Sequence, residues 1–546
     1  MARVSRVRYT PSRVIATAWT LMAALAIAVL IGVRGEFPLS DDAAYAYAVH
    51  TLCTTGTLHF LPWTAASLVL QAAYGAALCR AVGFSFTVLR ASTVALAIAG
   101  VIAFVQLLRH RNVRGRALAF ATAVFALNPL YVNLAFTFMT DVPFTALIVW
   151  AAYGYVRGIG ARRAGLLLAG AAATTAALLV RQQGILLAVA AAAAIVVAPA
   201  WRRAERVRAI GAAVLLPTIA FVVLHLWLFA RGTLPIGYTS RIGQLGDVSL
   251  TSIVNCGFRG FVYLGLFLSP LLVASDVLAE RRYRRLALAF GLTLAGAATV
   301  LYLREHALMF YLTNIAYDLG LGPLTLRDTL FLGYDPPLHV GPMLALPLTI
   351  LAVGSAALLG AAWVRTWTRV DPEAVFLNVA AALLFAATLL QSRYYLDRHL
   401  LPIIPPLVAL IATTQFRVPT RATVLLTVLL GWYAIAGTHD YLAWNRARFV
   451  GLDALLADGV SPAAIDGGVE FNAWYLSPTL GTWPSDRDVR PHQPATVRSW
   501  WWVVDDQYVA SFHPLAGYAI RQQIPFTRWL VPGHGTVLIL ERMPRT

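Results

Sequence analysis

Pro38-Leu39-Ser40-Asp41-Asp42-Ala43-Ala44-Tyr45 follows directly on a long apolar run, Val14 to Val33, so two adjacent carboxylates stand at the edge of a stretch long enough to cross a bilayer. A helical crossing takes about 20 predominantly apolar residues. Charge in or beside the hydrocarbon is costly and needs a reason, usually a substrate path or a reactive site. The run exceeds a signal-peptide core and lacks a small-residue cleavage pattern, so it reads as a membrane anchor. The two aspartates then point to chemistry at a membrane surface.

The whole chain agrees with a membrane setting. Of 546 residues, 59% are hydrophobic and only 12% charged, against roughly 45–50% apolar in soluble domains. Spanning-length apolar stretches begin near Val14, Val88, Ala117, Thr140, Ala164, Ile185, Ala209, Gly257, Leu286, Gly341, Ala374, Leu400 and Ala422. The expected fold is an all-α polytopic membrane protein with about 13 transmembrane helices and a small external C-terminal α/β domain. The net charge of +18 comes from 43 basic residues, every one an arginine. Most sit in short loops between apolar runs, which is a topology signal and not a nucleic-acid surface.

Orientation follows from those arginines. Groups at residues 3–13, 109–116, 157–163, 202–208, 281–285, 365–369 and 417–421 alternate with poorly charged turns and mark the cytoplasmic face. The other face then carries the loop 34–87, the tight turns at Asp141 and Arg181, the loops 231–255 and 304–340, and the segment 392–399. Residues 61–82, apolar but broken by Gln71, Gly75 and Arg80, read as an interfacial helix, because a further span would break the alternation.

Beyond residue 440 the composition changes. Turn signals stand at Gly467-Gly468, Ser477-Pro478 and Pro532-Gly533, strand-like runs at 500–504 and 536–540, and a helical pattern at 446–456. The division expected is 1–439 for the membrane domain and 440–546 for an external α/β domain. Three cysteines, Cys53, Cys79 and Cys256, are too few for a disulfide framework, and a Cys53–Cys79 bridge is not expected. No spacing demands a metal, although His50 and His59 lie near the acidic pair; both read as structural, and a divalent metal stays an open possibility.

Four sites share the external face. Asp41 and Asp42 can supply a general base at a partly desolvated surface. Asp141 is pinned where two spans meet with almost no loop, as a third catalytic carboxylate or as a helix cap before Val142-Pro143. Arg181-Gln182-Gln183 interrupts two apolar runs and suits forked recognition of a lipid phosphate. Arg393, Tyr394, Tyr395, Arg398 and His399 form a second anion- and sugar-binding corner. Together they suit a reaction in which a lipid phosphate departs under arginine stabilisation while an aspartate activates a nucleophile.

This pattern resembles the C-type membrane glycosyltransferases, in the branch of the protein O-mannosyltransferases and the lipid A aminoarabinose transferase. The residues that carry the resemblance are Asp41-Asp42 in the first external loop, Asp141, the Arg181-Gln182-Gln183-Gly184 turn, the segment from Arg393 to Pro402, and the tail stretches 440–448 and 465–472. The family more often has Asp-Glu where this chain has Asp-Asp. The resemblance implies a polyprenyl-phosphate sugar donor, inversion at the anomeric carbon, Asp41 as base, and placement in a bacterial inner membrane with the N-terminus cytoplasmic. The acceptor, whether protein, lipid or glycan, is not specified. The alternative is a transporter or flippase for a lipid-linked sugar, with His225 as its main ionisable group inside a span.

Overall fold

The computed structural model describes residues 22, 26–199, 201–235, 237–239, 248–312, 314–318, 320–339, 341–368, 371–391, 395–414, 419–480, 502 and 505–544. Most of the expected first span, 14–33, and the strand-like run 500–504 except Trp502 lie outside these residues. Among the described residues eight helices are long and apolar enough to cross a membrane: Phe86–His110, Asp141–Ala161, Arg203–Ala230, Leu250–Val273, Arg281–Glu305, Pro342–Trp367, Pro372–Leu389 and Arg421–Ala457. The pair Gly115–Ala126 and Pro129–Ala135, bent by 58°, is long and apolar enough for a ninth when counted as one span. The bend falls where Asn128 accepts from the Leu130 N–H and Pro129 starts the second piece, the Asn-then-Pro signature of a helix start.

The remaining expected spans are shorter. Ala164–Leu178 and Gln182–Val197 are apolar helices on either side of Arg181. The stretch near Leu400 is a 3-10 segment, Asp397–Ile403, that runs on into the helix Ile404–Thr414. The polytopic helical class is thus as the sequence indicates. Helix starts are chemically marked: Ser85, Ser249, Asp371 and Thr420 each accept a backbone N–H of the first turn with the side chain, worth about 1 kcal/mol apiece. Small residues set the closest packing. A Cβ on Gly154 would lie 2.7 Å from the backbone nitrogen of Gly170, so Asp141–Ala161 and Ala164–Leu178 approach backbone to backbone.

Two expectations for the first loop are corrected. Cys53 and Cys79 form a disulfide, with Cα atoms 6.1 Å apart, tying Asp42–Thr54 to Val69–Val82. Such bonds persist in oxidising compartments. The stretch 61–82 is not one helix; only Val69–Val82 is. Pro62 interrupts the start, Ser67 Oγ donates to the Leu178 carbonyl, and the Leu68 and Leu70 amides donate to Val180 and Leu179. Residues 61–68 are therefore an irregular wall laid against the Arg181 corner.

After Arg281–Glu305 a loop carries two short strands, β1 (Ala316–Tyr317) and β2 (Gly320–Leu321), paired antiparallel. The C-terminal sheet contains β3 (Ile465–Asp466), β4 (Tyr508–Ser511), β5 (Tyr518–Arg528) and β6 (Gly533–Arg542), in the order β3-β4-β6-β5. The β3–β4 pair is parallel, and the others are antiparallel. Strand β6 contains the run 536–540, and Pro532-Gly533 makes its turn. Ser477-Pro478, read as a turn, lies inside the helix Val469–Leu480, where Ser477 is fully buried.

Arg421–Ala457 continues unbroken past residue 440, so the helical pattern at 446–456 is the end of the last long helix. The sheet unit also rests on the loop after β2. Arg327 Nη1 lies 2.6 Å from Asp506 Oδ2, and Asp328 Oδ2 accepts the Phe512 and His513 amides. This unit sits at the same end of the helices as Asp41, since Glu470, on the helix that follows β3, accepts the amide of Ser40, the residue before Asp41. At the opposite end Arg111 pairs with Asp371 and Glu373, and Arg365 with Asp276 and Glu280.

Candidate functional site

Asp41 immediately precedes the helix Asp42–Thr54, and its carbonyl accepts the Ala44 N–H at 3.1 Å. Its carboxylate is one-third exposed, with Oδ2 2.8 Å from Arg398 Nη2. Arg398 is placed by its neighbour. Asp397, fully buried, accepts the backbone amides of Ile315, Ala316 and Arg398, which freezes the 3-10 turn beneath the arginine. Nε and Nη1 of Arg398 are buried with no protein hydrogen-bond acceptor. A guanidinium with unused donors beside a cavity suits a ligand oxygen.

The second charge pair faces the first. Arg181 Nη2 lies 2.9 Å from Asp141 Oδ2, and its Nε donates to Thr140 Oγ1 at 2.7 Å. The Asp141 carboxylate is fully buried, and neither of its oxygens has a hydrogen bond of good alignment, so the contact is a close charge pair. Asp141 is the first residue of its helix and makes no side-chain cap. It orients Arg181 from behind and does not line the cavity.

Between these pairs lies a cavity of about 430 Å³ lined by Asp41, Arg181, Gln182, Gln183, Tyr395, Arg398 and His399. Of the remaining sequence candidates, Arg393 and Tyr394 lie outside the described residues. The burial of Arg398 works against its charge, but the charges of Asp41 and Asp141 outweigh that and hold its pKa above the usual arginine range. Gln182 Nε2 donates weakly to the Ala65 carbonyl at 3.4 Å. The Oε1 atoms of Gln182 and Gln183 are buried without a protein donor.

Asp42 departs from the expectation of a catalytic pair. It turns inward, 1% exposed, and both carboxylate oxygens accept the Phe138 amide, at 2.9 and 3.0 Å. Burial raises its pKa to about 7, although the Phe138 amide and the Arg90 charge pull it down. The native carboxyl thus holds its proton more tightly than the unfolded one, whose ordinary value is 3.8. The resulting stabilisation is full below the unfolded pKa and is lost as pH rises through the folded one. Asp42→Asn keeps an acceptor for Phe138 but does not titrate. Thermal unfolding in detergent is expected to show the wild type losing stability relative to Asp42→Asn between about pH 4 and 7; parallel profiles would contradict this placement.

Other walls were not singled out in the sequence. Trp63, Thr64, Ala65 and Ala66 come from the irregular stretch after Pro62, Gly237 from the loop after Arg203–Ala230, and Leu384, Ala387, Thr388 and Gln391 from the end of Pro372–Leu389. The Gly237 amide donates to the Pro62 carbonyl at 2.7 Å, and a Cβ there would collide with the Trp63 carbonyl. Its neighbour Tyr238 has its hydroxyl 2.6 Å from His225 Nε2, so His225 belongs to this end of the molecule. His50 packs edge-on against Phe84 and Trp474. Among the described residues no three His, Cys, Asp or Glu side chains gather into a metal-holding cluster.

No family model and no curated protein matches the chain. Among solved structures, it is similar to ArnT from Cupriavidus metallidurans in the apo state, with 15% identity, TM-score 0.42, and coverage of 97% of this chain and 100% of that one. ArnT from the same organism bound to undecaprenyl phosphate matches with 15% identity and TM-score 0.41, over 85% and 76% of the two chains. The archaeal oligosaccharyltransferase AglB from Archaeoglobus fulgidus, in complex with an inhibitory peptide and a dolichol-phosphate, matches with 13% identity and TM-score 0.37, over 77% and 55%.

Proposed function

We propose that this chain is a C-type membrane glycosyltransferase that moves a sugar from a polyprenyl-phosphate donor to an acceptor on the external face of a bacterial inner membrane. The observation that carries the reading is the cavity in which the partly exposed Asp41 carboxylate meets Arg398, itself holding unused donors, with Arg181 opposite. In the step envisaged, an acceptor hydroxyl or amine attacks the anomeric carbon and passes its proton to Asp41. The bond from that carbon to the phosphate oxygen breaks, and the electron pair leaves on the lipid phosphate. Arg398 and Arg181 stabilise the charge gained there, an effect that grows as water is excluded. Attack opposite the departing phosphate inverts the anomeric centre. Asp42 and Asp141 hold the loop and the arginine in place.

Transport of a lipid-linked sugar is the competing reading. A carrier needs polar groups along a path between both faces. The charged groups that line the cavity, Asp41, Arg181 and Arg398, meet in one place, which favours chemistry at one face. The reading is tested by lipid binding to the purified chain in detergent. Polyprenyl phosphate is expected to bind and unphosphorylated polyprenol not to compete; equal binding of the two would remove the role given to the arginines.

A further inference from the structure

We propose that Glu470 is a positioning residue for Asp41, reaching from the C-terminal unit into the turn that carries the base; the inference rests on the transferase reading. Ser40, the residue before Asp41, has a φ of 56°. A residue with a Cβ in this left-handed region is strained and stays there only when its surroundings fix it. The fixing contact is long-range: the Ser40 amide donates to Glu470 Oε1 at 3.1 Å. Glu470 is in turn completely buried, and its Oε2 accepts from Thr325 Oγ1 at 2.6 Å and from Arg448 Nη1 at 3.0 Å.

Asp41 is therefore held on both sides. Before it, Ser40 is tied to Glu470; after it, Asp42 is tied to the Phe138 amide. With both neighbours fixed, the Asp41 carboxylate is aimed at Arg398 and the cavity. The same helix, Val469–Leu480, supplies Ser477 Oγ as acceptor for Trp63 Nε1 at 3.0 Å, so it braces a second wall. A buried ion pair adds little net stability over apolar residues of similar size. The oxygen aimed at Ser40 gives Glu470 a task beyond pairing with Arg448. The C-terminal unit then forms part of the active site.

The test compares two double variants, Arg448→Met with Glu470→Leu and Arg448→Met with Glu470→Gln, in the full chain. Both remove the ion pair, but only Gln keeps an oxygen for the Ser40 amide. The Leu pair is expected to lose kcat by about a hundredfold through misplacement of the base, with KM for the lipid donor unchanged. The Gln pair is expected to recover most of that loss. Adding Ser40→Gly to the Leu pair is expected to restore part of it, because glycine takes a positive φ at little cost. Full kcat in the Leu pair, or no rescue by Gln, would overturn the proposal.

Hydrogen exchange of the peptide spanning 38–42 reads the same contact without transfer activity. A slow Ser40 amide in the wild type and the Gln pair, and a fast one in the Leu pair, support it; a fast Ser40 amide in the wild type overturns it. The wild-type measurement alone decides the matter should the Leu pair not fold. Absence of sugar transfer by the wild type would count against the transferase reading and leave the exchange result standing.

Discussion

Asp41→Asn is expected to lower sugar transfer by roughly 10²- to 10⁴-fold, the range for removal of a general base. The variant is isosteric and keeps an oxygen for Arg398 Nη2, which now meets Asp41 Oδ2 at 2.8 Å. The fold and the cavity wall should therefore persist. What disappears is the proposed proton acceptor and its charge. Binding of polyprenyl phosphate should be retained or tightened, since one negative charge has left the surroundings of Arg398 and Arg181. Labelled-sugar transfer at matched levels of folded protein measures the first effect, and lipid binding the second. Full transfer by Asp41→Asn would show that the proton goes elsewhere.

Arg181→Ala is expected to damage stability and activity together, and the two can be separated. Its partner Asp141 is fully buried, while the Arg181 side chain is only 13% exposed. Removing one member of a buried pair strands the other charge, at a cost of about 3–5 kcal/mol. Asp141→Asn in the same chain removes the stranded charge and is expected to recover most of that stability. It should not recover transfer, because the cation proposed to face the departing phosphate is still missing. Removal of one such donor costs about 10²- to 10³-fold in kcat. Thermal unfolding and transfer assays on the single and double variants measure both. Recovery of activity along with stability would make Arg181 purely structural.

The sequence exposes those parts of the site whose signal is local. Asp41, Asp141, Arg181 and Arg398 are polar residues at the ends of apolar runs, and the cost of charge beside hydrocarbon makes each one visible. Asp41, Arg181 and Arg398 meet in one cavity with Asp141 behind Arg181, a grouping that a common membrane face anticipates although Asp41 and Arg398 are 357 positions apart. Adjacent residues near a helix start point about 100° apart, and the position of the Phe138 amide decides which aspartate turns inward. No local pattern encodes that choice. The same holds for Glu470, whose partners Ser40 and Thr325 come from remote loops. The wall 61–68 read as helix because its composition is apolar, while the Ser67 hydroxyl and the Leu68 amide bond to the Leu178 and Val180 carbonyls.

The most direct test of the central claim uses the wild-type chain in sealed proteoliposomes of known orientation, given a polyprenyl-phosphate donor with labelled sugar and a crude envelope acceptor fraction. Transfer of label to the acceptor, with release of polyprenyl phosphate, only when donor and acceptor meet on the face that carries the C-terminal sheet, is the predicted result. Movement of intact labelled donor across the bilayer, with no transfer from any donor tried, would contradict the transferase reading and establish a carrier.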